Sequence, residues 1–289
     1  MGTNATQVSL VIPFYNPGAA LRDTVVRSAR TLEACGLPFE IVAVSDGSTD
    51  GSPATLEGLL PGVLQTVCLP ENRGKGEAVR VGFGLATGEY VGFIDADGDI
   101  PPELLTHFVE ALRGGEVDIA VGSKLHPGSE TSSPALRRAY SSGYQLLTKI
   151  LFDLPVHDTQ TGVKFLRRGV LDAVLPETVE RRFAFDIELL VLARQLGFDR
   201  VVELPVRIGQ RSGSTVSLRT VRHILSDTLA VWWRLRVTHA YQSQPATDRS
   251  STVRPAGSPT GPRARDARDR RRSRPRARPG RHPAGHVRT

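Results

Sequence analysis

Cysteine is scarce in this chain of 289 residues: Cys35 and Cys68 are the only two. Set in what read as a helix end and a strand, they give neither a disulfide framework nor a thiolate metal site, and a reducing cytosol is the expected compartment. Long hydrophobic runs are missing too. No stretch approaches the roughly 18 successive apolar residues that a membrane-spanning helix needs, so any membrane contact is expected to be peripheral. Residues 1–7 show neither the basic start nor the apolar core of a secretion signal. Basic charge is lacking where a nucleic-acid-binding domain would carry it. The formal charge of +7 comes from the end of the chain: residues 245–289 hold thirteen Arg against three Asp, which leaves residues 1–244 at −3. With seven Pro beyond residue 244, almost no apolar residues and no interleaved aromatics, residues 241–289 read as a disordered Arg/Pro-rich tail. Charge alone can draw such a tail to anionic lipid or to nucleic acid, or it can be without a partner; no specific nucleic acid is expected.

What the chain does have is an alternation of short apolar runs, at residues 8–12, 40–45, 64–69, 90–94 and 118–121, with helix-period segments near 18–35, 51–60, 75–86 and 102–113. This βαβ rhythm predicts an α/β domain with a mostly parallel, Rossmann-like sheet flanked by helices, whose ligands bind beyond the carboxyl ends of the strands. Further on, a polar loop at 124–133 precedes a helix over 135–152, a motif-rich segment at 157–167, a helix near 184–196, a strand at 200–206, a Gly/Ser loop at 209–214 and a helix over 217–239. There is no internal repeat.

Asp95-Ala96-Asp97-Gly98-Asp99 follows the apolar run 90–94 directly. Three carboxylates at the end of a buried strand concentrate negative charge that a counter-cation relieves. Alternation along an extended segment would put Asp95, Asp97 and Asp99 on one side, as a site for Mg²⁺ or Mn²⁺; hard oxygen donors without neighbouring Cys or His argue against zinc. A solvated acidic turn is the plain alternative. Tyr15, at the end of the first strand, can pack on a base, and Asp46, at the end of the second, can accept from base N–H groups; Asp46-Gly47-Ser48 also reads as a simple turn. The loop Glu71-Asn72-Arg73-Gly74-Lys75-Gly76-Glu77 can turn amides and Lys75 toward a diphosphate at a helix start, although it lacks the spacing of a P-loop.

Together, Ile12-Pro13-Phe14-Tyr15-Asn16, Ser45-Asp46-Gly47-Ser48-Thr49-Asp50, Asn72-Arg73-Gly74-Lys75-Gly76 and Asp95-Ala96-Asp97 resemble the inverting family 2 glycosyltransferases of GT-A fold, over about residues 7–216. Asp99-Ile100-Pro101-Pro102-Glu103 continues the metal motif as in polyprenyl-phosphate (dolichyl-phosphate) hexosyltransferases, many of which have Gln in place of Asp99. The segments His157-Asp158-Thr159-Gln160-Thr161-Gly162-Val163-Lys164-Phe165 and Arg182-Phe183-Ala184-Phe185-Asp186-Ile187-Glu188-Leu189 resemble the glucosyl branch more than the mannosyl one.

The resemblance implies a domain at 1–216 in which Pro13, Tyr15, Asn16, Asp46, Lys75, Asp95 and Lys124 bind the nucleotide-sugar donor. It implies Asp95, Asp97 and Asp99 as ligands of Mg²⁺ or Mn²⁺, and Asp97, Asp158 and Gln160 as the catalytic set. Arg137 and Ser141, four apart on one helical face, match positions that bind the acceptor phosphate; read alone, they form an exposed helix face. Lys124 stands where relatives more often have Arg, and Thr215 where they often have Lys, which changes the phosphate contacts. Asp186 reads equally as a site residue or as a partner of Arg182. The implied reaction is metal-dependent transfer of a hexose, glucose from UDP-glucose, to a polyprenyl phosphate on the inner face of the cell membrane. Rival readings are a GDP-mannose-dependent mannosyltransferase, a family 2 enzyme with a soluble acceptor, and a noncatalytic nucleotide-sugar or nucleic-acid binding protein. In the segment 217–240, Leu218, Val221, Leu225, Leu229, Trp232 and Leu235 recur at helical spacing among Arg219, Arg222, Arg234 and Arg236, with Trp233 nearby. This suits either a helix lying in the membrane interface or one packed on the domain.

Overall fold

The first strand, β1 (Val8–Phe14), is buried along its whole length, and its alternate residues feed two different cores. Val11 packs on one face of the sheet, while Leu10 and Ile12 pack on the other. That doubling recurs in β2 (Phe39–Ser45), β4 (Tyr90–Ile94) and β5 (Ile119–Ser123), and it explains why these strands read as continuous apolar runs. The structure is a computed structural model that describes residues 6–131, 135–208, 218–238 and 241; within 131–142 and 218–221 it describes the backbone alone.

Seven strands form one sheet in the order β3-β2-β1-β4-β7-β5-β8, where β3 is Leu64–Cys68, β7 is Val163–Arg167 and β8 is Val201–Pro205. All neighbours are parallel except β7, which runs antiparallel between β4 and β5. Helices α1 (Ala20–Ala34) and α3 (Leu105–Arg113) cover one face; α2 (Lys75–Leu85), α5 (Arg168–Val174), α6 (Phe185–Gln195) and α7 (Leu218–Arg236) cover the other. Helix α4 (Ala135–Phe152) packs beside α7, with Tyr144 Oη 2.8 Å from Thr228 Oγ1. A small parallel pair, β6 (Glu130–Thr131) with β9 (Arg207–Ile208), lies apart from the main sheet.

The chain leaves β1 for β2 and β3, then returns to β4 on the other side of β1. The crevice above β1 and β4 is therefore the switch point at which such sheets bind ligands. Pro13 helps to open it. Pairing of β1 with β4 ends at Val11↔Phe93, so the N–H that proline lacks coincides with the place where the strands part. β7 matters for the same reason: because it is antiparallel, its amino end pairs as Ile94↔Val163, and the segment that precedes it emerges among the carboxyl ends of β4 and β5.

Several expectations change. Residues 51–60 form a 3₁₀ turn over Ser52–Leu56 in place of an α-helix, because Gly51 and Gly58 take φ of +75° and +67° on either side and leave only a short helical stretch between them. The 157–167 segment contains a central strand. α7 packs on the domain along one row: Val231 is fully buried, Trp232 and Leu235 pack against the core, and Tyr241 is 5% exposed within that core. The Gly/Ser loop with Thr215, and the proposed tail beyond Tyr241, lie outside the described residues.

Candidate active site

The crevice is built from loops that tie themselves together before any ligand is considered. Asp46 follows β2 and is 3% exposed, and its two oxygens accept from the amides of Arg73, at 2.7 Å, and Gly74, at 2.9 Å. Base recognition was the task expected of Asp46, and diphosphate binding that of the loop amides. In this structure the carboxylate holds the loop through two of its amides, those of Arg73 and Gly74. Gly74 is needed there, with φ +102° and the Arg181 carbonyl oxygen 2.6 Å from where a Cβ would stand. Asn16 takes φ +48° and staples the first two loops: its amide donates to Ser48 Oγ at 3.0 Å, and its Oδ1 accepts from the Thr49 amide at 2.7 Å. Tyr15 beside it is half exposed and faces no such duty.

After β4 the chain turns at once. Ala96 and Asp97 lie in a turn, Gly98 has φ +72°, and Asp97 Oδ1 accepts from the Asp99 amide at 3.0 Å. The extended alternation expected for Asp95, Asp97 and Asp99 therefore does not occur. Among the described residues no three His, Cys, Asp or Glu side chains come together as a metal-holding group. The donors that remain still fit Mg²⁺ or Mn²⁺. Asp97 is exposed and Asp95 half-buried, both offer hard oxygens, and such ions are commonly held by one or two carboxylates plus substrate phosphates. Lys75, the first residue of α2, places Nζ 2.7 Å from Asp95 Oδ1 and 3.9 Å from Asp186 Oδ2. Burial works against its charge, but Asp95 and Asp186 outweigh burial and raise its pKa, so the ammonium persists.

The segment before β7 forms the opposite wall. Asp158 is 2% exposed, and it accepts from the Lys124 amide at 3.0 Å, the Gln160 amide at 3.1 Å and Thr161 Oγ1 at 2.6 Å, with Lys124 Nζ 3.7 Å away. Its geometry is that of a loop organiser that fixes Lys124, at the end of β5. Gln160 is half-buried, with Nε2 enclosed and without a hydrogen-bond partner. Gly162 closes against β4: its carbonyl accepts from the Asp95 amide at 2.9 Å, and a Cβ there would overlap the Asp95 carboxylate. The side chains of Arg137 and Ser141, in the first half of α4, lie outside the described residues.

Some site residues gave little signal in the sequence. Glu203 of β8 accepts from the amides of His157 and Asp158 at 2.9 and 3.0 Å, and lies 2.8 Å from His157 Nδ1. Burial works against its charge, yet the His157 ring and these amides hold its pKa below the ordinary carboxyl value. Lys164 is wholly buried, and burial, opposed by Asp186, lowers its pKa. Glu188 receives the amides of Val179 and Glu180 at 2.9 and 2.8 Å and the Tyr241 hydroxyl at 2.5 Å, which fastens the 178–184 segment and the chain after α7 to α6. Arg182 pairs with Asp227 of α7 at 3.0 Å, not with Asp186. Lys164 and Glu188 lie in segments that carry the family resemblance without a role being assigned to either, and Glu203 carried only the mark of a charge inside an apolar strand.

The model of glycosyl transferase family 2 matches residues 9–175. Glycosyltransferase AglD of Haloferax volcanii is 31% identical over 239 residues, which is 80% of this chain and 38% of that protein. The dolichol-phosphate mannosyltransferase of Pyrococcus furiosus is 30% identical over 74% of this chain and 59% of its own length. The dolichyl-phosphate beta-glucosyltransferase of Mus musculus is 30% identical over 72% and 69%. This chain thus spans well under two thirds of the two archaeal relatives. The crystal structure of glucosyl-3-phosphoglycerate synthase from Mycobacterium tuberculosis, with Mn²⁺, UDP and glucosyl-3-phosphoglycerate, superposes with a TM-score of 0.60 at 19% identity over 79% of both chains. The seven-stranded sheet is accordingly the GT-A fold, and this chain belongs to glycosyl transferase family 2.

Proposed function

We propose that this chain is a metal-dependent, inverting hexosyltransferase that moves a sugar, glucose from UDP-glucose, onto a polyprenyl monophosphate at the cytoplasmic surface of a membrane. The observation that carries the lipid-phosphate reading is the pair of helices beside the crevice. Leu146 and Ile150 on α4 are 60% and 72% exposed, and Leu229, Trp233 and Val237 along α7 are 50%, 54% and 44% exposed. Lys149, Arg222 and Arg236 are exposed among them. An apolar row with basic flanks suits the interface of an anionic bilayer, and no helix among the described residues is long and apolar enough to cross one. The outward face of α7 is Leu229-Trp233-Val237, not the row through Trp232 and Leu235 that periodicity suggested. Arg234 is also withdrawn from the headgroups, since it pairs with Glu180 and the Tyr241 hydroxyl.

In the proposed reaction a phosphate oxygen of the acceptor forms a bond to the anomeric carbon from the side opposite the nucleotide. The bond to the nucleoside diphosphate breaks, and the configuration inverts. A phosphomonoester with its second pKa near 6 is mostly dianionic at neutral pH, so no side chain need remove a proton. That agrees with Asp158 having its oxygens engaged by the protein. A divalent ion bound through Asp95 and Asp97 would neutralise charge on the departing diphosphate. Lys75 holds Asp95, Lys124 is aimed by Asp158, and Gln160, whose amide nitrogen has no hydrogen-bond partner, would orient a ligand.

Purified protein, a short polyprenyl phosphate and Mg²⁺ or Mn²⁺, with labelled UDP-glucose or GDP-mannose, test the proposal by transfer of label into the organic phase. Metal-dependent transfer from UDP-glucose is expected. Transfer from GDP-mannose alone would move the chain to the mannosyl activity named for its Pyrococcus relative. Donor hydrolysis without a lipid product would remove the lipid acceptor in favour of a soluble one.

A further inference from the structure

Lys164 has no part in the reaction described above, although it is a fully buried charged side chain near the crevice, with 0% exposure on the central strand β7. Its Nζ donates to the Thr161 carbonyl at 2.9 Å and to Asp186 Oδ1 at 2.5 Å. Asp186 is itself 3% exposed, and its second oxygen lies 3.9 Å from Lys75 Nζ, whose near partner is Asp95 at 2.7 Å. Both amines sit over the Phe93 ring, at 5.0 and 5.3 Å from its centroid. A chain of alternating carbonyl, amine and carboxylate groups thus runs from the interior of the sheet to the crevice. Buried pairs of this kind are often replaceable by apolar side chains without loss of stability, so stability alone is a weak reason for one here.

We infer that Lys164 is a positioning residue for the donor site: it occupies Asp186, and so leaves the Lys75 ammonium seated against Asp95. Lys75 stands between two carboxylates, and the Lys164 amine decides which of them it serves. With Lys164 removed, Asp186 is a buried carboxylate whose remaining cation is Lys75; Lys75 moves inward, and Asp95 loses the charge that shapes it toward a diphosphate and its metal. This role rests on the nucleotide-sugar reading given above.

Calorimetric titration of the full chain with UDP and Mn²⁺, and with GDP and Mn²⁺, tests the role, with thermal unfolding and circular dichroism alongside. Lys164→Met is expected to weaken nucleotide binding by about tenfold, the size of coupling found between contacting charged groups, while staying folded at the assay temperature. Adding Asp186→Asn removes the competing carboxylate and is expected to return affinity to within roughly threefold of the starting protein. In turnover, the donor KM should follow the same pattern and the acceptor KM should not move. If Lys164→Met does not fold, Lys164→Gln, which keeps one N–H for Asp186, replaces it with the same loss and the same rescue expected. Unchanged affinity in the folded single variant overturns the inference, as does a double variant no tighter than the single one. If the unsubstituted chain binds neither nucleotide, the donor reading falls and the inference falls with it, a result that the unsubstituted protein alone reveals.

Discussion

Asp97 and Asp158 divide the carboxylates of the crevice by exposure. Asp97 is open to solvent, whereas Asp158 is 2% exposed and accepts from two amides and a hydroxyl. Replacement should separate them. Asp97→Asn is expected to lower transfer by about 100-fold, the scale on which removal of an electrostatic contact to a developing charge acts, with the melting temperature unchanged; full activity in a folded variant would take Asp97 out of the site. Asp46 illustrates how far a sequence motif reaches. That it belonged at the crevice was readable from its place after an apolar run, but its partner, the Arg73–Gly74 turn, follows 27 residues later, and only folding shows that the motif's carboxylate serves the motif's loop.

At the scale of the element, α7 shows that period and phase are different questions. Leucines and tryptophans spaced for a helix do not say which row faces the protein, because Trp232 and Trp233 both continue an apolar stripe. The core selects Val231, Trp232 and Leu235 and turns Leu229, Trp233 and Val237 outward. Trp233→Glu is therefore expected to reduce co-flotation with vesicles containing anionic lipid by several-fold while leaving the thermal midpoint in place, and a variant that floats as before would remove this face from the proposed membrane contact. The inner parallel strands β1, β2, β4 and β5 were readable for the reason α7 was not: buried on both faces, they need no choice of phase. β7 escaped because Lys164 and Arg167 interrupt its apolar run, and the 3₁₀ turn at Ser52–Leu56 because an isolated proline and scattered glycines weigh little against a run of mixed residues.

Across the whole molecule, Glu203 joins the last strand of the sheet to the wall of the crevice, so its protonation bears on stability as well as on the site. Its pKa is held below the ordinary value, and it therefore contributes stability that is fully present above about pH 4.5 and lost as the pH falls through the lower folded value. Urea unfolding followed from about pH 6 to about pH 3 should show the midpoint falling in the acid range, and Glu203→Gln should flatten that fall; an identical slope would show that other carboxyls govern it. The position of β7 also bears on how the chain is made. β5 leaves the ribosome at Ser123, yet the strand that joins it to β4 ends at Arg167. At roughly 5–20 residues per second, a few seconds pass in which two buried edges, meant to lie about two strand spacings apart, are both open to other chains. The crevice is thus finished late in synthesis, and the interval in which it is unfinished is when a chaperone would have the most to cover.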